Sequence, residues 1–118
     1  MKPHRIRLKR VYEPAAAADG NRILVERLWP RGLSKRRACI DSWAKSIAPS
    51  PELRKWFDHR PERWDEFKNR YFTELDSHPK AVAQLRTEIE GGIATFVFAS
   101  REEQLNSATA LAEYLKTL

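Results

Sequence analysis

The chain has 118 residues, 42% of them apolar and 32% charged, with only four Gly. That balance excludes a disordered or fibrous chain and describes one globular domain over 1–118, large enough to bury a core around four Trp, five Phe and three Tyr. The net charge of +6 is local, because residues 1–40 hold 11 Lys/Arg against 3 Asp/Glu whereas residues 41–118 hold 11 against 13.

A lone cysteine, Cys39, excludes an internal disulfide and a cysteine-rich metal site. The opening "MKPHRIRLKRVYEP" lacks an apolar core, and the longest apolar run, "IATFVFA", is too short to span a bilayer. A cytoplasmic protein without a membrane partner is expected, and nothing in the sequence reports its oligomeric state.

In chain order, "IRLKRVY" at 6–12 alternates apolar and cationic residues as a half-exposed strand does, with Val11 and Tyr12 blurring the pattern. "EPAAAADG" reads as a turn, and "RILVERLW" gives a second strand at 22–28. The nine-residue connection is shorter than a helical crossover needs, so the pair is either antiparallel or joined irregularly.

The next 65 residues read as helix. Ser34 caps a segment whose Ile40, Trp43, Ala44 and Ile47 form one helical stripe. Ser50 and Pro51 restart with Leu53, Trp56 and Phe57 inward; Pro61 opens a helix striped by Trp64, Phe67, Tyr71 and Leu75; Pro79 starts another with Val82, Leu85 and Ile89, stopped at Gly91-Gly92.

"IATFVFAS" at 93–100 is a central strand, apolar on both faces. Ser100 and Glu103 have the spacing of a capping box ahead of a closing helix with Leu105, Ala108, Leu111, Ala112 and Leu115 inward. The fold class is α/β: a small, largely parallel sheet of three strands or more, helices packed on it, and a helix-rich middle segment.

No catalytic set stands out. Ser100 lacks an elbow motif and is read as a cap; Cys39 has no identifiable base; His4, His59 and His78 share no ligand spacing, so neither metal nor cofactor is expected. Anion binding is better supported. Arg27, Trp29, Arg31 and Gly32 sit where a strand ends, with Lys35, Arg36 and Arg37 at the following helix start, a place where α/β domains hold phosphates or carboxylates. Ser100, Arg101 and Asn106, after the central strand, would share that crevice, with Trp56 and His59 as further lining. The partner so implied is a small anionic ligand; a weaker alternative is nucleic acid on the basic first third, and a third is an interaction module without catalysis.

The run "RILVERLWPRG" matches R-x-L-V-D-R-x-W-P-R-G at Arg22, Leu24, Val25, Arg27, Trp29, Pro30, Arg31 and Gly32, followed by Ala48–Ser50, Leu53–His59 and Arg70-Tyr71. In these motifs, and over nearly its whole length, the chain resembles the YeaO-like family of small bacterial proteins of unknown function. The resemblance implies an α/β cytoplasmic domain with no established reaction. Glu26 stands where the family commonly has Asp, Arg60 where an Asp often precedes Pro61, and Leu105 where a His often precedes Asn106, which weakens any role for that His.

Overall fold

Residues 5–118 are described by the computed structural model. Four strands form one sheet: β1 (Arg5–Arg10), β2 (Asn21–Leu24), β3 (Ser42–Trp43) and β4 (Ile93–Phe98). Their order is β1-β4-β2-β3 and every pairing is parallel. The apolar β4 lies inside, between β1 and β2, as its composition requires. All carboxyl ends therefore point one way, and the loops after β1, β2 and β4 emerge together.

Five α-helices follow from local signals: α1 (Lys35–Ala38), α2 (Pro51–Phe57), α3 (Trp64–Asp76), α4 (Pro79–Ile89) and α5 (Ser107–Lys116). Ser50 accepts the Leu53 N–H at the start of α2, with Pro51 in the first turn, and the Pro61–Arg63 3-10 turn leads into α3. None of these helices is long and apolar enough to cross a membrane.

The two faces of the sheet are unequal. Helices α2 to α5 cover the first face, where Ile23, Val25, Phe96 and Phe98 meet Phe57, Phe67, Leu85 and Leu111. On the second face the buried apolar residues are Val11, Leu24, Ala38 and Val97, edged by Trp29, Leu33 and Ile40. Among the described residues only α1 and connecting segments lie there.

The β1–β2 connection is an irregular parallel crossover. Its 3-10 turn, Ala17–Asp19, passes over the second face, where Thr95 Oγ1 donates to Asp19 O at 2.7 Å. The buried Asp19 carboxylate accepts from Arg22 at 2.7 Å, Lys9 at 3.1 Å and the Ala16 N–H at 3.0 Å. Arg22 also donates twice to Ala38 O, at 3.2 and 2.9 Å, and so ties down the end of α1. Gly20 follows at φ +63°, and a Cβ there would lie 2.2 Å from Ile93 O.

Three expectations are corrected. The helix proposed through Ile47 stops at Ala38, because Cys39 turns left-handed (φ 50°) and residues 42–43 become an edge strand. The outer side of β2 needs backbone partners: Asp41 N donates to Arg22 O, and Arg22 N donates to the Asp41 carboxylate at 2.8 Å. The apparent stripe is split, with Ile40 on the second core and Ala44 and Ile47 on the first. Ser100 is likewise no helix cap. Its Oγ accepts the Glu102 N–H, and α5 begins seven residues later with Asn106 accepting the Thr109 N–H. Strand two is also shorter than 22–28, since the chain leaves the sheet at Leu24 to form the loop with Trp29.

Gly20→Ala combines a forbidden backbone conformation with a backbone clash, so a loss of about 3 kcal/mol is expected. Thermal melts should place its midpoint roughly 10 °C below the parent.

Burial alone would raise the Asp19 pKa, but the Ala16 N–H, Lys9 and Arg22 outweigh it and hold the carboxyl below its ordinary value. A folded pKa below the unfolded one means that the contribution is complete above the unfolded value of about 3.9 and is lost as pH falls through the folded value. Asp19→Asn should therefore cost about 3 kcal/mol near pH 7, where it strands the buried Arg22, and progressively less as pH falls through the folded value of Asp19. Urea midpoints across that range measure the difference.

Candidate functional site

At the carboxyl ends of the strands lies a cleft of about 580 Å³. Tyr12 comes from the loop after β1, Glu26 and Leu28 to Arg31 from the loop after β2, and Ala99 to Ser100 with Leu105 to Ser107 from the segment after β4. The last turn of α2 and the residues beyond it, Arg54, Lys55 and Phe57 to His59, close the remaining side. This is the region where open parallel sheets bind ligands, and the volume is of ligand-pocket size.

Strand-end residues stitch these loops together. Arg10, the last residue of β1, donates to Ser100 O at 2.9 Å and Ala99 O at 3.4 Å. Glu26 Oε1 accepts the Ala99 N–H at 3.1 Å, linking the loops after β2 and β4. Tyr12 Oη donates to Arg31 O at 3.0 Å, and Trp29 Nε1 to Leu33 O at 2.6 Å, which shapes the W-P-R-G turn. Asn106 spans its own loop, donating to Glu102 O at 2.8 Å while capping α5.

The cleft has an apolar floor and a charged rim. Phe57, Phe67 and Leu105 lie among its lining, while Arg31, Arg54 and Lys55 bring positive charge against the acids Glu26 and Asp58. Asp58 and His59 are both left-handed, at φ 49° and 54°, two successive non-Gly residues in a sparsely populated conformation. Asp58 caps α2 through its N–H to Arg54 O, and its carboxylate lies 3.8 Å from Arg60. The exposed Glu102 is held below its ordinary pKa by the N–H groups of Gln104 and Leu105, with smaller help from His59.

Among the residues singled out from sequence, Trp29, Arg31, Ser100, Asn106 and His59 line this cleft. Arg27 does not. Its guanidinium turns under the loop to Ala48 O at 3.2 Å and Pro49 O at 3.4 Å, so it braces the approach to α2. Gly32 is exposed at φ +75° and serves the turn, and Arg101 is exposed outside the lining. Trp56 packs on the helical core, with Arg70 4.3 Å and Arg63 5.2 Å from its ring centre.

Sequence reasoning missed Tyr12, Glu26, Arg54, Lys55 and Asp58 as cleft residues. Tyr12 had a signal, since the alternation fails where β1 ends. For Arg54 and Lys55 there was none, because their place depends on how α2 docks.

Among the described residues neither Ser100 nor Cys39 has an imidazole or carboxylate as hydrogen-bond partner. The hydrogen-bond partner of Ser100 Oγ is a backbone N–H, at 3.1 Å, not an imidazole. Cys39 is exposed beside α1, its Sγ 3.2 Å from Arg36 O, and does not line the cleft. Among the described residues no group of three or more His, Cys, Asp or Glu side chains is placed to hold a metal ion; His4 lies outside them.

No solved structure matches the chain. It is 43% identical over 111 residues to an uncharacterized protein of Mycobacterium tuberculosis, covering 94% of this chain and 93% of that one, and equally to a Mycobacterium bovis counterpart. To the uncharacterized protein YeaO of Escherichia coli it is 39% identical over 113 residues, 96% of this chain and 98% of that one. The model of a family described as the inactive DUF488-N3 subclade matches residues 5–118, and with these relatives it shows that the chain belongs to that YeaO-like family of unknown function.

Proposed function

We propose that the strand-end cleft binds a small ligand bearing a phosphate or carboxylate and does not convert it. The observation that carries this reading is the approach of Arg31, Arg54 and Lys55 from two separate elements to one apolar-floored cleft. Two of the acids nearby are already engaged: Glu26 accepts the Ala99 N–H and Asp58 faces Arg60. An entering anion therefore meets a net positive rim, while Trp29 and Leu105 offer apolar surface to the rest of the ligand.

The absence of conversion is supported by the partners of Ser100 and Cys39 and by the description of the family as inactive. The exposed, unpaired thiol of Cys39 suits a reducing compartment, which supports a cytoplasmic setting.

A thermal-shift panel of phosphate and carboxylate compounds at about 150 mM salt tests the proposal. A ligand at 100 times its Kd should stabilise the protein by about 2.7 kcal/mol. Arg31→Ala should weaken that ligand at least about tenfold, the loss of one charge-assisted contact, and Arg101→Ala should leave it unchanged. Phosphorus or carbon NMR should show the ligand intact after prolonged incubation. Binding that survives Arg31→Ala, or steady turnover, would sink the reading.

A further inference from the structure

The second face of the sheet carries a separate feature. Within residues 5–45 the four acids are all occupied internally: Glu13 accepts the Arg10 N–H, Asp19 pairs with Lys9 and Arg22, Glu26 accepts the Ala99 N–H, and Asp41 accepts the Arg22 N–H. By contrast Arg7, Arg31, Lys35, Arg36 and Arg37 are exposed and form no ion pair among the described residues. Their charge is therefore not cancelled locally.

Register puts an aromatic on the same face. Trp43 pairs with Leu24, whose side chain belongs to the second core, while the neighbouring Ser42 turns to the helical face and donates to Glu88. The Trp43 ring is 39% exposed, yet it is fixed: Nε1 donates to Glu26 O at 2.6 Å, and Trp29 meets it edge-on with centroids 5.5 Å apart. Lys45 Nζ lies 5.0 Å from the ring centre. A pre-positioned indole among unpaired cations is the combination that single-stranded nucleic acid uses, bases stacking while phosphates meet Lys and Arg.

We propose that this face docks a single strand of nucleic acid, with Lys35, Arg36 and Arg37 on successive phosphates and a base against Trp43. A second copy of the chain is disfavoured by like charge. A duplex is disfavoured because α1 is one turn long, too short to enter a groove as a reading helix. The surface opens on a different side from the cleft and borders it at Glu26, Trp29 and Arg31.

Fluorescence anisotropy with a labelled 12-nucleotide strand, and with the matching duplex, tests this between about 50 and 200 mM salt. The affinity should fall with salt on a log–log slope of about −3, and replacing Lys35, Arg36 and Arg37 together by Ala should flatten that slope by about 2, near 0.7 per phosphate lost. Trp43→Ala should weaken the single strand at least about fivefold without changing the slope, and Trp43→Phe should recover part of the loss. Arg70→Ala, on the helical face, should match the parent. Circular dichroism confirms that each variant is folded. Absence of binding at about 50 mM salt, equal binding of polyglutamate, tighter binding of the duplex, or a slope unmoved by the triple substitution would each overturn the assignment. None of these outcomes bears on the cleft, whose ligand is read at higher salt through Arg31 and Arg101.

Discussion

The buried pairing of Asp19 with Arg22 is the constraint on which the rest of the molecule depends. Strands β1 and β2 are consecutive in the chain but separated in the sheet by β4, so the chain must pass over β4 with only ten residues between strands. Too few for a helix to cover that passage, they would leave the second face of β4 poorly sealed. Asp19 solves this by bonding to every layer it crosses: Lys9 on β1, Thr95 on β4 through its backbone oxygen, and Arg22 on β2. Arg22 then holds the carbonyl end of α1, which aligns the segment that becomes β3. A buried ion pair contributes little net stability against an apolar replacement, but it discriminates strongly against structures that leave either charge alone. Its value here is in specifying one path for the chain.

From that path comes the asymmetry of the fold. Helices are spent on one face, where aromatic residues of α2 and α3 stack in sequence from Phe57 through Phe67 to Tyr71, with Tyr71 Oη donating to Ile47 O at 2.6 Å. Burial drives the Tyr71 hydroxyl pKa far above its ordinary value, which favours the protonated, donating form. Tyr114, bonded to Asp76 at 2.6 Å, is pushed up to about 12 by burial with help from that carboxylate. The other face is left to loops and cations, and its apolar residues are few. What the protein can contact with charge therefore lies on a different side from what holds it together.

Legibility followed the same division. Segments whose signals are local, the apolar β4, the Ser50-Pro51 start of α2, the stripes of α3 and α4, were readable because burial on one side imposes the period of the element. Residues 39–47 were not. Their apolar spacing fits a helix, and only the unpaired edge of β2 makes an extended pair at Ser42 and Trp43 preferable. Ser100 and Glu103 have the spacing of a cap, but the backbone N–H groups nearby are satisfied within the loop itself, and Asn106 is the better placed acceptor. In the cleft, the W-P-R-G turn was visible as a motif, yet Arg27, two residues before it, turns away because the carbonyls of Ala48 and Pro49 hold its guanidinium.

By itself the sequence determined the α/β class, the positions of the principal helices, the interior strand, and the location of a strand-end loop rich in Trp and Arg. It also settled that the positive charge is concentrated in the first third. Tertiary structure alone decided the strand order, the fourth strand, the partners that turn Arg27 inward, the arrival of Arg54, Lys55 and Asp58 at the cleft, and the one-turn helix that carries Lys35 to Arg37. At the start of a long helix those three cations would oppose the macrodipole. In a helix of one turn there is almost no macrodipole to oppose them, and they lie as close to its carbonyl end as to its amide end. The division has one physical cause: periodic burial is written residue by residue, whereas backbone pairing and side-chain direction are settled only when distant segments compete for the same hydrogen-bonding groups.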